Sequence, residues 1–376
     1  QNPPAMGGGA VSLSHGKNTK FCTALLYRQV ANSAPHKETG SQMSDRAWEE
    51  LLAEFRALGG TADNVCLRNG VYGRGVFPVD SARPIAIHVP ENLLINEDDM
   101  VFADGKLRVG PNARVNDRER AWLDRYQEDY AWGGGGGDDA RQAVDMAAAL
   151  PAELRDVLIT KYHLASWFQD TTEELVQTRF LRARCINYQD RSVVMPLVEL
   201  ANHGAGNGYD VSNGIALRGT FSGEVYVEYA KLDSFEFFRA WGFATPRPLA
   251  FSMPLTGSIQ SAGLQIKDDF PVMTGSLRDW IPTIDETADT IALPFLMIGN
   301  LKLPRLCRGI FYRLMRDAGY SGFEEAFDII QHTNRLHFLD LIEAVDDIDL
   351  PMARKLRAMA LHQLRAMSFC FGVREI

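Results

Sequence analysis

The chain alternates between stretches patterned for helix and stretches patterned for strand. From Ser44, Trp48, Leu51, Leu52, Phe55 and Leu58 recur at helical spacing and Gly59-Gly60 ends the run, which predicts a capped amphipathic helix. From Val65 the texture becomes β. VCLRNGVYGRGVFPV predicts a strand, a tight turn at Asn69-Gly70, and a second strand broken by Gly73-Arg74-Gly75. PIAIHVPENLLI predicts a strand with Ile85, Ile87 and Val89 on one face. Residues from about 116 to 190 read as helices in pieces, with the pentaglycine Gly133 to Gly137 expected as a flexible loop. β texture returns from Ser192, where GIALRGTF and GEVYVEYA are expected to pair around a turn at Ser222-Gly223. DSFEFFRAWGF predicts a short helix stopped by Gly242, and from Ile291 onward long amphipathic runs predict mostly helix. Two β-rich segments, 65–110 and 192–255, are expected to meet in space around the helical insert. Residues 1–42 lack this periodicity and are expected to form a flexible extension, with the functional protein starting near Met43.

Composition narrows the function classes. A hydrophobic content of 46% and a charged content of 23% are ordinary for a globular protein of 376 residues. The net charge of -9 argues against non-specific nucleic-acid binding, which needs a basic surface. The five cysteines are widely spaced and include no CxxC, so neither a disulfide scaffold nor a zinc cluster is expected, and the simplest compartment is a reducing cytoplasm. No membrane span and no signal peptide are read from the sequence. The histidines have no metal-ligand spacing. The Met and Leu stripe of MARKLRAMALHQLRAM is expected to be helical core.

Three short stretches carry candidate chemistry. In YGRGVF the glycines flanking Arg74 let backbone approach a ligand, although alone they read as a hairpin bulge. In VVMPLVELANHGAGNG an apolar strand runs directly into Asn202-His203, whose amide and ring offer donors and acceptors; alone the pair reads as a loop cap and a structural histidine. GEVYVEYA ends on Tyr229, whose hydroxyl can orient an amine, although most tyrosines at strand ends are core.

Taken together, GRGVF, IHVPENLLI, MPLVELANH, GEVYVEYA and DSFEFFRAWGF occur in an order that resembles the SET-domain methyltransferases, and most closely the branch typified by the Rubisco large-subunit methyltransferase. The resemblance covers about residues 45 to 376. It implies an α+β fold: a SET-type β-rich core of small sheets over 43–255 with a helical insert at about 116–190, then an all-helical C-terminal domain over 256–376. It further implies an S-adenosylmethionine-dependent N-methyltransferase acting on a protein lysine, with the C-terminal domain binding the protein substrate. On this pattern Tyr72, Gly73, Arg74, Gly75, Val76, Asn202, His203 and Phe243 match cofactor positions and Tyr229 matches the catalytic tyrosine. Glu199 and Trp241 fall at substrate-side positions. Either Arg182 or Arg184 matches an arginine that reaches the site. Two departures stand out: Trp241 replaces the usual aromatic of a YGF motif, and Ala230 follows the tyrosine where relatives carry Gly. A methyltransferase for a peptide or small amine, and a non-catalytic SET-like binding module, remain the alternatives.

Overall fold

The structure, a computed structural model, describes residues 45–168, 171–204, 206, 208–259, 262–270, 277–287, 290–321 and 323–368. The expected N-terminal extension lies outside them. Helix α1 (Asp45–Ala57) buries Leu51, Leu52 and Phe55 completely, each worth about 1.5–3 kcal/mol of transfer free energy, and ends where Gly59 turns to φ +93°. Strand β1 (Thr61–Asp63) follows, then the hairpin β2 (Val65–Gly70) and β3 (Gly73–Pro78). This hairpin corrects the expected turn. Gly70 pairs with Gly73 and Asn69 with Arg74, so the turn is Val71-Tyr72 and the second strand runs unbroken through both glycines. Gly73 takes the positive φ, +91°, that closes so tight a connection, which a side chain at that position would resist.

Strand β4 (Ile85–Val89) buries Ile85, Ile87 and Val89 on one face, and β5 (Ile95–Asn96), β6 (Met100–Ala103) and β7 (Lys106–Val109) complete the first β stretch. The insert contains α2 (Asp117–Asp129), α3 (Gly137–Ala148), α4 (Ala152–Tyr162) and α5 (Thr172–Arg184). Reciprocal capping boxes at Asn116/Glu119 and Thr171/Glu174 start α2 and α5. The pentaglycine is not the expected loop. Residues 132–136 form one wide helical turn leading into α3, which starts at Gly137, and only Gly134 and Gly135 leave helical geometry. Close packing accounts for three of the glycines: a Cβ at Gly133 would lie 2.1 Å from the Glu128 carbonyl oxygen, one at Gly134 2.5 Å from the Arg74 guanidinium, and one at Gly136 2.6 Å from that of Arg184; Gly135 instead takes φ +106°.

Strands β8 (Cys185–Tyr188), β9 (Arg191–Val194), β10 (Asn202–His203), β11 (Ile215–Gly219) and β12 (Tyr226–Val227) return to the first β stretch. β11 pairs antiparallel with β4, and β9 with β5, so the two β segments do join across the insert. The expected hairpin between GIALRGTF and GEVYVEYA does not form. β11 pairs with β4 and β12 pairs in parallel with β10, because the tertiary partners bury Leu217, Val225 and Val227 where a local hairpin would not.

Helix α6 (Ser234–Trp241) is followed by a strand-rich stretch. β13 (Leu249–Phe251) pairs with β18 (Met297–Asn300), and between them β14 (Leu255–Ile259), β15 (Ala262–Ile266), β16 (Asp285–Thr287) and β17 (Thr290–Leu293) form a four-stranded sheet. The C-terminal helices therefore begin only at Pro304, with α7 (Pro304–Asp317), α8 (Glu324–Asp346) and α9 (Pro351–Ser368). The Met and Leu stripe of α9 is core: Met352, Leu356, Met359, Leu364 and Met367 are buried. Among the described residues no helix is long and apolar enough to cross a membrane.

Two apolar clusters organise the fold. One gathers α1, the small sheets, α2 and α5; the other gathers α4, the 249–300 strands and α7–α9. Helix α6 stands between them. Its Phe235 and Phe238 join the second cluster, while Phe237 and Trp241, four residues apart, face His203 and Tyr229. Both ends of α6 are anchored from elsewhere. At its start the Asp233 carboxylate accepts from the Glu236 and Phe251 amides at 2.9 and 2.7 Å and from the Gln363 side chain of α9. At its end Trp167 Nε1 and Arg179 donate to the Arg239 carbonyl at 3.2 and 3.1 Å. Insert and C-terminal helices thus set the angle at which α6 presents its aromatic face.

Candidate active site

The glycine-rich hairpin, the Asn-His strand and the strand ending in Tyr229 come together. Because β10 and β12 are parallel, Asn202 lies beside Tyr226 and His203 beside Val227. The Val225 amide donates to the Val76 carbonyl at 2.8 Å, which locks the β12 segment to the hairpin. Asn202 Nδ2 then donates to Glu224 Oε1 at 2.6 Å and, more weakly, to the Arg74 carbonyl at 3.4 Å. Gly75 faces this junction. A Cβ there would lie 2.4 Å from Glu224 Oε1 and 2.9 Å from Asn202 Nδ2, so the missing side chain is what lets these two side chains meet over the hairpin. Val76 is buried in the core beneath. Tyr72 sits at the exposed hairpin tip, its ring 6.2 Å from that of Tyr226 and edge-on to it.

Beyond Asn202 the site becomes aromatic. His203 contacts the rings of Tyr229, Phe237 and Phe243 at centroid distances of 5.1, 4.7 and 5.8 Å, and Trp241 lies 5.6 Å from Tyr229. The Tyr229 hydroxyl donates to the Ala201 carbonyl at 2.9 Å, and its amide donates to His203 Nδ1 at 3.3 Å. Burial, helped by the Arg247 guanidinium, depresses the His203 imidazole to about 4. At neutral pH the ring is therefore uncharged, as its acceptor role at Nδ1 requires. Burial raises the Tyr229 phenol to about 12, so it stays protonated.

Arg247 is a site-forming residue that sequence reading missed. It stacks 4.7 Å over Phe237, pairs with Glu228 at 2.7 Å, and donates to the Ala230 and Leu232 carbonyls, fixing the turn that follows Tyr229. No local pattern marks it, since all its named partners lie ten or more residues before it, within 228–237.

A buried polar cluster underlies the aromatic site. Leu197, at φ +66°, turns the chain out of β9, and its amide donates at 3.0 Å to the Tyr126 hydroxyl, which in turn donates at 2.7 Å to Glu199 Oε1. Arg184 and Arg74 lower the Glu199 proton affinity, but burial outweighs them and raises its carboxyl to about 7. Arg184, rather than the exposed Arg182, is the arginine whose charge is felt at Glu199 and Tyr229. Glu199 Oε2 and the Tyr209 hydroxyl are buried and accept or donate no hydrogen bond among the described residues. Tyr209, which lies within electrostatic reach of Glu199, escaped sequence reading because it follows a Gly/Asn run with no periodicity.

Glu199 makes stability depend on pH. Its carboxyl is protonated in both states below its ordinary value of 4.5 and carries no penalty there. Between that value and about 7 the unfolded chain ionises while the folded chain holds its proton, so stability falls as pH rises, then levels. Glu199→Gln keeps an acceptor for Tyr126 and removes the charge. The variant is expected to gain up to about 3 kcal/mol over the parent at pH 8, and little at pH 4. Urea unfolding at both pH values checks this; a pH-independent difference would refute the assignment.

No family model and no curated protein sequence matches the chain. Among solved structures, the SET domain of LSMT bound to lysine and AdoHcy covers 86% of this chain and 89% of its own length at 14% identity, with a TM-score of 0.39. Rubisco LSMT bound to AdoMet covers 86% and 90% at 14% identity and TM-score 0.38. Rubisco LSMT bound to sinefungin and monomethyllysine covers 86% and 89% at 16% identity and TM-score 0.38. Superposition this loose leaves the function to be argued from the chain's own residues.

Proposed function

We propose that this chain is a SET-type, S-adenosylmethionine-dependent N-methyltransferase whose acceptor is a lysine side chain of a protein. The observation that carries the reading is the continuity of two surfaces at Asn202-His203. On one side is the polar junction of Gly75, Asn202 and Glu224, which we take as the cofactor cleft, and on the other the aromatic cluster of His203, Phe237, Trp241 and Phe243 around Tyr229. The cleft suits a methionyl group with its charged amino end, because backbone glycine and the Asn202 amide form its walls. The aromatic side suits an aliphatic chain ending in an amine. When bound, S-adenosylmethionine supplies a methyl group already activated by its sulfonium.

The chain's own residues then have to align and deprotonate the acceptor rather than form a covalent intermediate. Aromatic enclosure disfavours the ammonium form of a lysine and so releases its proton at lower pH. Tyr229, protonated at neutral pH and tied to the Ala201 carbonyl, offers oxygen lone pairs to orient an amine N–H and is no general base. His203, neutral, braces it through the backbone amide. Trp241 bounds the aromatic side and leaves less room than a smaller ring would.

Calorimetric titration with S-adenosylmethionine and with S-adenosylhomocysteine tests the cofactor half. Saturable binding of both is expected, weakened roughly 10-fold or more in Asn202→Ala, which loses a polar group at the junction. Equal affinity of the variant would remove Asn202 from the site. Transfer of labelled methyl to a protein in cell extract tests the acceptor half.

A further inference from the structure

Glu224 lies within GEVYVEYA but is assigned no role by that motif, yet it stands at the junction of the glycine hairpin with Asn202, the candidate cofactor cleft. Its carboxylate lies against the backbone of both glycines: a Cβ at Gly70 would be 2.1 Å from Oε2, and one at Gly75 2.4 Å from Oε1. Two neutral groups hold it there, Asn202 Nδ2 on Oε1 at 2.6 Å and the Tyr226 hydroxyl on Oε2 at 2.8 Å. These bonds satisfy two of about four lone-pair positions and leave the negative charge uncancelled. Glu228, on the same segment, is different. It pairs with both Arg247 and Lys231. Among the described residues no Lys, Arg or His forms an ion pair with Glu224, and the nearby Arg74 guanidinium turns away to the Tyr130 carbonyl. A half-buried carboxylate held against a glycine backbone by neutral donors is a receptor for a cation.

We infer that Glu224 is the counterion of the cleft, selecting a positively charged ligand by pairing with the ammonium or sulfonium of S-adenosylmethionine. The inference rests on the methyltransferase reading and adds to it a residue and a basis for selectivity. A cleft with fixed negative charge favours the cationic cofactor over uncharged nucleosides of the same shape. If the sulfonium is the partner, it also releases the thioether product, which has lost that charge.

The test uses three probes on the full chain: S-adenosylmethionine, with both cations; S-adenosylhomocysteine, with the ammonium alone; and 5′-methylthioadenosine, with neither. Glu224→Gln keeps size and hydrogen-bonding capacity. It is expected to weaken S-adenosylmethionine roughly 10- to 100-fold, as for loss of a hydrogen bond between charged groups, and to leave 5′-methylthioadenosine unchanged. A parallel loss for S-adenosylhomocysteine assigns the ammonium as the partner; retention assigns the sulfonium. The wild-type preference for S-adenosylmethionine should shrink as salt rises, and that of the variant should not. Unchanged or tighter S-adenosylmethionine binding by Glu224→Gln, with the wild type binding well, would overturn the counterion role alone and make Glu224 an occupant that ligand displaces. A wild type that binds none of the three probes would overturn the methyltransferase reading together with it.

Discussion

Tyr229→Phe is expected to lower methyl transfer by on the order of 10²–10³-fold, the scale for removing one positioned polar group at a reacting centre, while S-adenosylmethionine binding stays near wild type. The split follows from where the hydroxyl points. It bonds to the Ala201 carbonyl on the aromatic side of the site, whereas the Asn202 amide and Glu224 line the other side. Phenylalanine preserves the ring contacts with His203 and Trp241, so the loss should fall on turnover rather than on stability. Single-turnover transfer of labelled methyl, run beside calorimetric binding, separates the two. Normal turnover by the variant would remove Tyr229 from the chemistry.

The second large effect comes from the two glycines of β3, which should fail in opposite ways. Gly73 has nothing within 4 Å of an added Cβ but sits at φ +91°. Gly73→Ala should therefore cost stability, about 1–2 kcal/mol for a left-handed alanine, and spare the cleft. Gly75 carries no such φ. Its Cβ would meet the ends of two flexible side chains, Glu224 and Asn202, which can swing aside at small cost to folding. Gly75→Ala should then fold normally and lose cofactor affinity by at least about 10-fold, because the swing dismantles the cleft. Urea midpoints and calorimetry on both variants give the comparison. A Gly75→Ala protein that binds as well as wild type would show that the cleft is not the cofactor site.

What could be read early is what depends on neighbours in the chain. The α1 stripe, the start and stop of α6 at Asp233 and Gly242, the buried face of β4 and the apolar stripe of α9 all follow from 3.6- or 2-residue periodicity and a capping residue. The glycine-flanked hairpin, Asn202-His203 and Tyr229 each read alone as a bulge, a loop cap and a core residue, and only their common order, through the resemblance it carries, marked them as one site.

What the sequence by itself determined, then, is local: the type of the strongly periodic segments, and which residues are out of place in them; the strands over 255–300 carry no such period and were not legible. Tertiary structure decided the pairings and the charges. β12 left its sequence neighbour for a parallel place beside β10, since burying Val225 and Val227 under the hairpin outweighs a short local turn. The glycine run, which composition alone marks as flexible, forms a helical turn in which Arg74 and Arg184 pack where side chains of Gly134 and Gly136 would have been. Glu199 became a buried acid and Glu224 an unpaired one through partners dozens of residues away. Burial and Coulomb interaction depend on distance in space, and no spacing along the chain encodes that distance before the fold exists.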